Sequence, residues 1–382
     1  MRNFWNGLMV FIIMALLLPF VGFGMLILYF SGLEFFIPLI GAAYLSLGAF
    51  VVMAYFDLHR FKRFFIMGAS AVLFISLIFA VPGVYDRSKM VVRDGSVDLY
   101  EYSPFVERTK AVSLDRPASF QIEEDLPVID GATALYPIYS AFAQAVYPEK
   151  EYDPYNSEVM SNRTGQAYTN LLNGKADLIF VLRPSKAQLE QAERAGKELK
   201  LTPIGKEAFV FFVHAKNPVK SLTEDEIKGI YSGEITNWKD VGGKNDSIRA
   251  FQRPENSGSQ TALQQFMGSV PIMDPPTEDI ASLMGTIVDQ VSDYKNHKNA
   301  IGYTFRYYST QMVTNNKIRL LGVNGVEPTV DTIRSGEYPI SNEFYAVTAG
   351  TDNPHVEAFI KWMLSDEGQE IVEKTGYVPI RE

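Results

Sequence analysis

The sequence predicts an α/β domain with a mostly parallel sheet, preceded by three apolar spans long enough to be transmembrane α-helices. Two observations carry that reading. From Leu126 onward, short apolar runs alternate with turns and with segments of helical spacing, the pattern of strands joined by helices. Over Met1–Val84, by contrast, the chain is almost wholly hydrophobic, while the remainder has the mixed composition of a globular protein.

Bulk properties narrow the possibilities. At 382 residues and a net charge of −9, the chain is more than one domain's worth. Its lack of cysteine excludes disulfides, thiolate metal sites, Cys nucleophiles and a lipid-modified Cys anchor. Net acidity argues against a nucleic-acid partner. It does not argue against a small anion, whose site is decided by local dipoles.

The first spans are Leu8–Phe30, Phe35–Phe56 and Phe64–Val81, each near or above the ~18–20 residues that cross a bilayer. A cleavable signal peptide would account for the first alone. The link Asp57–Arg63 carries Arg60, Lys62 and Arg63, whereas Ser31–Glu34 carries no basic residue. The positive-inside rule therefore places Asp57–Arg63 and the N-terminus in the cytoplasm and everything after Pro82 outside. No span carries an intramembrane charge, which favours plain anchoring in lipid over residues 8–81. The expected organisation is a multi-pass anchor in the cell membrane over residues 1–83, an extracytoplasmic connector over 84–125, and a globular domain over 126–382. Aromatic islands at Tyr100, Tyr102, Phe105 and Phe120 predict that part of the connector docks on that domain.

Within the domain, Leu126–Asp130 reads as a strand, followed by a tight turn at Gly131–Ala134 and a helix over Leu135–Val146. Ser161–Gly165 precedes a helix at Gln166–Leu172, and Ala176–Leu182 is a buried, fully apolar strand. Ala208–His214, Asn299–Phe305 and Glu343–Thr348 are further strands. Thr223 and Glu226 form a capping box on a helix over Thr223–Tyr231, and His355–Leu364 and Gly368–Glu373 make closing helices.

The chemistry concentrates in Phe251–Met267, FQRPENSGSQTALQQFM. Small hydroxyl residues there open an amphipathic helix, so free N–H groups and the positive end of the helix dipole favour an anion. Ser257 and Ser259 add hydroxyls, Gly258 admits a close approach, and Arg253 offers a planar fork. Thr133-Ala134 and Thr164-Gly165 are two more starts of this kind, and Arg163, Arg183 and Arg253 lie near the three in sequence. In open α/β sheets such starts converge at the carboxyl ends of strands.

GATALYPIYSAFAQAVYP, DLIFVLRPSKAQ, DEIKGIYSGEITNW, RPENSGSQTAL, NAIGYTF and the terminal GYVPI resemble the phosphate-binding receptors of bacterial ABC importers, the PstS family. The likeness runs from about Asp130 to the C-terminus. It implies a two-lobed periplasmic-binding-protein fold of type II that closes on its ligand by hinge motion, with lobe one at 126–208 and 306–382 and lobe two at 209–305. It implies phosphate or a similar tetrahedral oxyanion as ligand, an ABC permease or other membrane partner, no cofactor, no metal and no enzymatic activity. The implied oxyanion contacts are Thr133 with the amides of Ala134 and Leu135, the turn at Thr164-Gly165, Arg253, and the start Ser257-Gly258-Ser259; Arg183 is a further candidate as an arginine near these starts. Where the family commonly has Ser-Asp or Ser-Arg after the buried strand, this chain has Leu182-Arg183. A carboxylate that accepts the proton of hydrogen phosphate distinguishes it from sulfate, and Glu255 or Glu207 would have to serve.

Other readings remain. A sensor signalling to a membrane partner uses the same residues. A phosphoester hydrolase would recruit Ser257 with a histidine base, but His214, His297 and His355 sit in no recognisable motif. Glu123–Asp125 reads as a solvated loop. Tyr303, Phe305, Tyr307 and Tyr308 either line a cleft or pack a hinge.

Overall fold

The computed structural model describes residues 97–275, 298–313 and 317–380, and before them 15–26, 36–55 and the single positions 8, 12, 68 and 72. The chain divides into two compact units, Met1–Val91 and Val92–Glu382.

In the first unit, residues 15–26 are helical and Ile37–Tyr55 forms a helix of 19 residues, α1. Among the described residues no helix is long and apolar enough to cross a membrane, so the structure does not carry the expectation of three crossing helices. The third span, apart from positions 68 and 72, and much of the first lie outside the described residues.

The second unit is built on one mixed sheet. β1 (Ile129–Gly131) runs through a 3-10 turn (Thr133–Leu135) into α2 (Tyr136–Val146). α3 (Arg163–Leu172), β2 (Leu178–Val181), α4 (Lys186–Arg194) and the 15-residue β3 (Lys200–His214) follow. Next come β4 (Ser221–Leu222), α5 (Glu224–Ser232), β5 (Arg249–Ala250), α6 (Gly258–Met267) and β6 (Ala300–Phe305). β7 (Ile318–Leu320), β8 (Gly322–Val323), α7 (Val330–Arg334), β9 (Ser341–Thr348), α8 (Val356–Met363), α9 (Asp366–Thr375) and β10 (Val378–Pro379) complete it.

Local sequence explains these elements. In β2, Leu178 and Phe180 enter one core while Ile179 and Val181 enter another, so both faces are covered and the strand is apolar throughout. The predicted capping box forms: Thr223 Oγ1 accepts from Glu226 N at 3.1 Å, and Glu226 Oε2 accepts from Thr223 N at 2.7 Å. The helix then ends at Gly233 with φ 84°, the left-handed stop that favours glycine.

The expectation of a mostly parallel sheet is corrected. The strand order is β1-β2-β9-β3-β6-β5, and only β1–β2 and β5–β6 are parallel along it. β9 runs antiparallel to both β2 and β3. It brings the chain back into the sheet at the end where β3 leaves, Ser341 pairing with Ala208 and Thr348 with Lys200, and so opposes its neighbours. β3 itself changes partners: residues through Ala208 pair with β9, and Phe209–Val213 pair with β6. Two aromatic cores flank that change. Phe142, Phe180, Phe344 and Trp362 anchor one, and Phe209, Phe211, Tyr231, Trp238 and Tyr303 anchor the other. The result is a two-lobed α/β body.

The segment ahead of β1 belongs to this body. Leu99, Tyr102 and Ile122 are buried in the first core, and Phe120 stacks on Phe359 with centroids 6.4 Å apart. Ser140 Oγ donates to the Tyr102 carbonyl, and the hydroxyls of Ser103 and Tyr136 bond at 3.1 Å, tying the segment to α2. Val97 packs against both cores.

Candidate functional site

Three helix starts meet at one cavity of about 500 Å³. Thr133 and Ala134 reach it from the 3-10 turn after β1, Thr164 and Gly165 from the start of α3, and Ser257, Gly258 and Ser259 from the start of α6, with Arg253 beside them. Eight of the ten residues expected from sequence therefore share a wall. The starts from opposite lobes are close: a Cβ built on Gly258 would lie 3.1 Å from Thr164 Oγ1. A side chain at 258 would crowd the Thr164 hydroxyl, a contact between starts separate from the close approach of a ligand that the sequence suggests for Gly258.

The first two starts leave backbone donors open. Neither the Thr133–Leu135 turn nor α3 has a side-chain cap hydrogen bond. No side-chain cap therefore competes with an anion for the amides of Thr133, Ala134, Thr164 and Gly165, and the α3 dipole stands behind the last two. Asp130 braces both. Its carboxylate is fully buried and accepts from Gly131 N and Asn162 N, each at 2.7 Å, and from the side chains of Asn162 and Asn170 at 3.2 and 2.7 Å. That clamp holds Arg163 in a left-handed conformation, φ 66°, just before Thr164. The Tyr377 hydroxyl donates to the Ala134 carbonyl and fixes the other turn.

Arg253 is positioned by its backbone and left open at its head. Its N–H donates to Gln260 Oε1 at 3.0 Å and to the Tyr303 hydroxyl at 2.9 Å, and that hydroxyl donates on to Gln260. The guanidinium Nε and Nη1 are shut off from solvent and have no hydrogen-bond partner. Burial, reinforced by Arg163, lowers the Arg253 pKa to about 10, against a raising influence of Tyr303 and Tyr308. The group stays cationic at neutral pH. The Ser259 hydroxyl is likewise buried and unpartnered. A buried cation and hydroxyl without acceptors are costly unless something occupies the space before them.

Leu135 and Arg183 do not line the cavity. The amide of Leu135 is used by the Ala132 carbonyl at 2.8 Å, the bond that closes the 3-10 turn, and its side chain is in the first core. Leu182, in the bend after β2, lines the cavity and also the neighbouring pocket that takes Arg183. Arg183 Nη2 donates to the Tyr345 hydroxyl at 3.0 Å in a separate pocket shared with Lys206 and Glu343. Of the two carboxylates considered, Glu255 lines the cavity. Glu207 does not: it is buried against Arg306 at 3.5 Å and accepts from Ala208 N and Tyr307 N. Phe305 and Tyr308 line the cavity, whereas Tyr303 supports Arg253 and Tyr307 stacks on Tyr377 at 4.5 Å.

Sequence reasoning did not assign Ser161, Asn162, Val97 or Leu99, which also line the cavity. SNRTG was visible as a helix start, so Ser161 and Asn162 had a local signal. Val97 and Leu99 had none, because their place depends on how the preceding segment folds back.

A two-lobed α/β body with open amide, hydroxyl and guanidinium donors between its lobes defines the class of binding proteins that enclose a small anion. Residues 123–367 match the family model of the PBP superfamily domain, and the chain belongs to that family. It is 27% identical over 258 residues to the phosphate-binding protein PstS of Bacillus subtilis, covering 66% of this chain and 80% of that protein. It is 26% identical to the PstS of Borreliella burgdorferi over 68% of this chain and 92% of that one. Among solved structures, a phosphate ABC transporter substrate-binding protein with bound phosphate from Clostridium perfringens aligns at 27% identity and a TM-score of 0.51, covering 68% of this chain and all of that one.

Proposed function

We propose that this chain is an extracytoplasmic receptor that binds inorganic phosphate or a related tetrahedral oxyanion and delivers it to an ABC permease. The observation that carries the reading is Arg253, whose buried Nε and Nη1 lack acceptors beside the equally unpartnered Ser259 hydroxyl. An oxyanion supplies acceptors to both, and to the uncapped turns at Thr133 and Thr164. The PstS relatives, which are phosphate-binding proteins, and the phosphate-bound homologue agree with this ligand. Ser257 Oγ accepts from Gln260 N as a helix cap, and no histidine lines the cavity among the described residues, so the site offers binding groups rather than a nucleophile and base.

Lobe one is assigned to 126–208 with 306–382 and lobe two to 209–305, with the hinge where β3 changes partners. Glu255 is the carboxylate placed to accept the proton of hydrogen phosphate. The three apolar runs within 8–81 and the absence of cysteine favour a tether made by the chain itself, with residues after 82 outside the cell. A sensor that reports ligand state to a membrane partner would use the same cleft.

The test is a titration of the full-length chain with phosphate, sulfate and tungstate, read as saturable heat and as a rise in melting temperature with ligand concentration. Arg253→Ala is expected to weaken binding roughly 100-fold or more, since it deletes two charge-assisted hydrogen bonds. Its melting temperature without ligand should not fall, because an unpaired buried charge has been removed. Unchanged affinity in this variant would remove Arg253 from the site.

A further inference from the structure

Two of the three arginines near the helix starts share the cavity. Arg183 is held in the neighbouring pocket, whereas Arg163 and Arg253 both line this one. Arg253 has its Nε and Nη1 shut off from solvent, and Arg163 is exposed. Three features of Arg163 are unfavourable taken by themselves. Its backbone holds φ 66°, an uncommon conformation for a residue with a Cβ, fixed by the Asp130 carboxylate through Asn162 and Asn170. It is the first residue of α3, so its cation stands at the positive end of the helix dipole, and that first turn has no acidic residue to offset it. It also repels Arg253, whose pKa it pushes further down. Among the described residues the Arg163 side chain has no ion pair or hydrogen bond that would compensate.

An anion between the two guanidinium groups relieves both electrostatic costs, and by an amount that grows with its charge. Glu255, which lines the same cavity, offsets one of the two cations. The N-termini of α3 and α6, at roughly half an elementary charge each, restore that balance. The wall thus presents about two positive charges, which a doubly charged ion neutralises and a singly charged one does not. In a chain of net charge −9 this is a local reversal of sign, and the exposed Arg163 carries it out to solvent, where it draws anions in. We infer that Arg163 is the second cation of the ligand site and makes it select by charge, favouring doubly charged tetrahedral oxyanions over singly charged ones. The inference rests on the oxyanion reading above and names the charge state of its ligand.

Calorimetric titration of the full-length chain with inorganic phosphate tests it, at about pH 6, where the monoanion dominates, and at about pH 8, where the dianion does. Arg163→Asn removes the charge and keeps a residue that tolerates the left-handed backbone; Arg163→Lys keeps the charge. Each variant is compared with the unaltered chain at the same pH, so titration of other groups cancels from the ratio. Arg163→Asn is expected to weaken phosphate roughly tenfold or more at the higher pH and about threefold or less at the lower. Arg163→Lys should stay within about threefold of the unaltered chain at both. Without ligand, the melting temperature of Arg163→Asn should not fall, since a repelled cation has been removed. Equal affinity in Arg163→Asn and the unaltered chain overturns the inference and leaves the oxyanion reading standing. So does an equal loss at both pH values, an equal loss in Arg163→Lys, or a fall in melting temperature, each of which marks a structural role. If the unaltered chain binds no phosphate at either pH, the oxyanion reading fails and takes the inference with it.

Discussion

Glu255 and Glu207, side by side in the sequence reading, have opposite fates. Glu255 lines the cavity, and in the proposed reading its carboxylate accepts the proton of hydrogen phosphate. Glu255→Gln is therefore expected to weaken phosphate roughly tenfold while leaving sulfate unchanged or improved, as competition titrations at neutral pH would register. Glu207 is enclosed where β3 changes lobes, and burial pushes its pKa up to about 7 despite Arg306 and two backbone N–H donors. The folded form thus binds a proton more tightly than the unfolded chain does. The stability that this adds is fully present below pH ~4.5 and is lost as pH rises through about 7. Urea unfolding between pH 5 and 8 should show this slope, flattened in Glu207→Gln; an identical slope in the variant would clear Glu207 of responsibility.

At the scale of elements, the lobes touch through small contacts beside the cavity. Ser185, which caps α4, donates to Asn256 Oδ1 at 2.9 Å, and Asn256 holds φ 68° just before α6. Asn256→Gly tolerates that conformation but deletes the acceptor, so the loss is confined to one interlobe hydrogen bond, about 1 kcal/mol. Phosphate should leave this variant roughly threefold to tenfold faster in stopped-flow release, with its melting temperature little changed. Asn256→Ala adds the strain of a left-handed alanine and should also lower stability. The helix starts were legible because capping residues and small first turns are local signals. Their bracing was not: Asp130 and Asn162 are 32 positions apart, and Arg253 and Tyr303 are 50 apart. Arg183 was not readable, since the chain bends after β2 ends at Val181 and its partner Tyr345 lies 162 positions away. Leu135 was lost because a 3-10 turn consumes the amide that a simple helix start would leave open.

At the scale of the whole molecule, the two-lobed α/β body was legible from motifs, but strand direction was not. An apolar strand covered on both faces looks the same to composition whether its neighbours run with it or against it, and β9 settled that by returning from the other lobe. The proposed membrane tether is also tested at this scale. The full-length chain is expected to sediment with membranes and to resist alkaline extraction, and externally added protease should digest residues after 97 in intact cells stripped of their wall. Release by alkali, or protection from outside protease, would refute the tether or its orientation.

The shared strand and the returning β9 also govern how this protein is made. Phe180 is synthesised early, yet its lobe receives Phe344 and Trp362 only from the last stretch of the chain. The half that leaves the ribosome first is therefore the half completed last, and the partly made chain must travel with an unfinished interior. Any cellular machinery that exports it would be handling an unfolded passenger until almost the final residue has emerged.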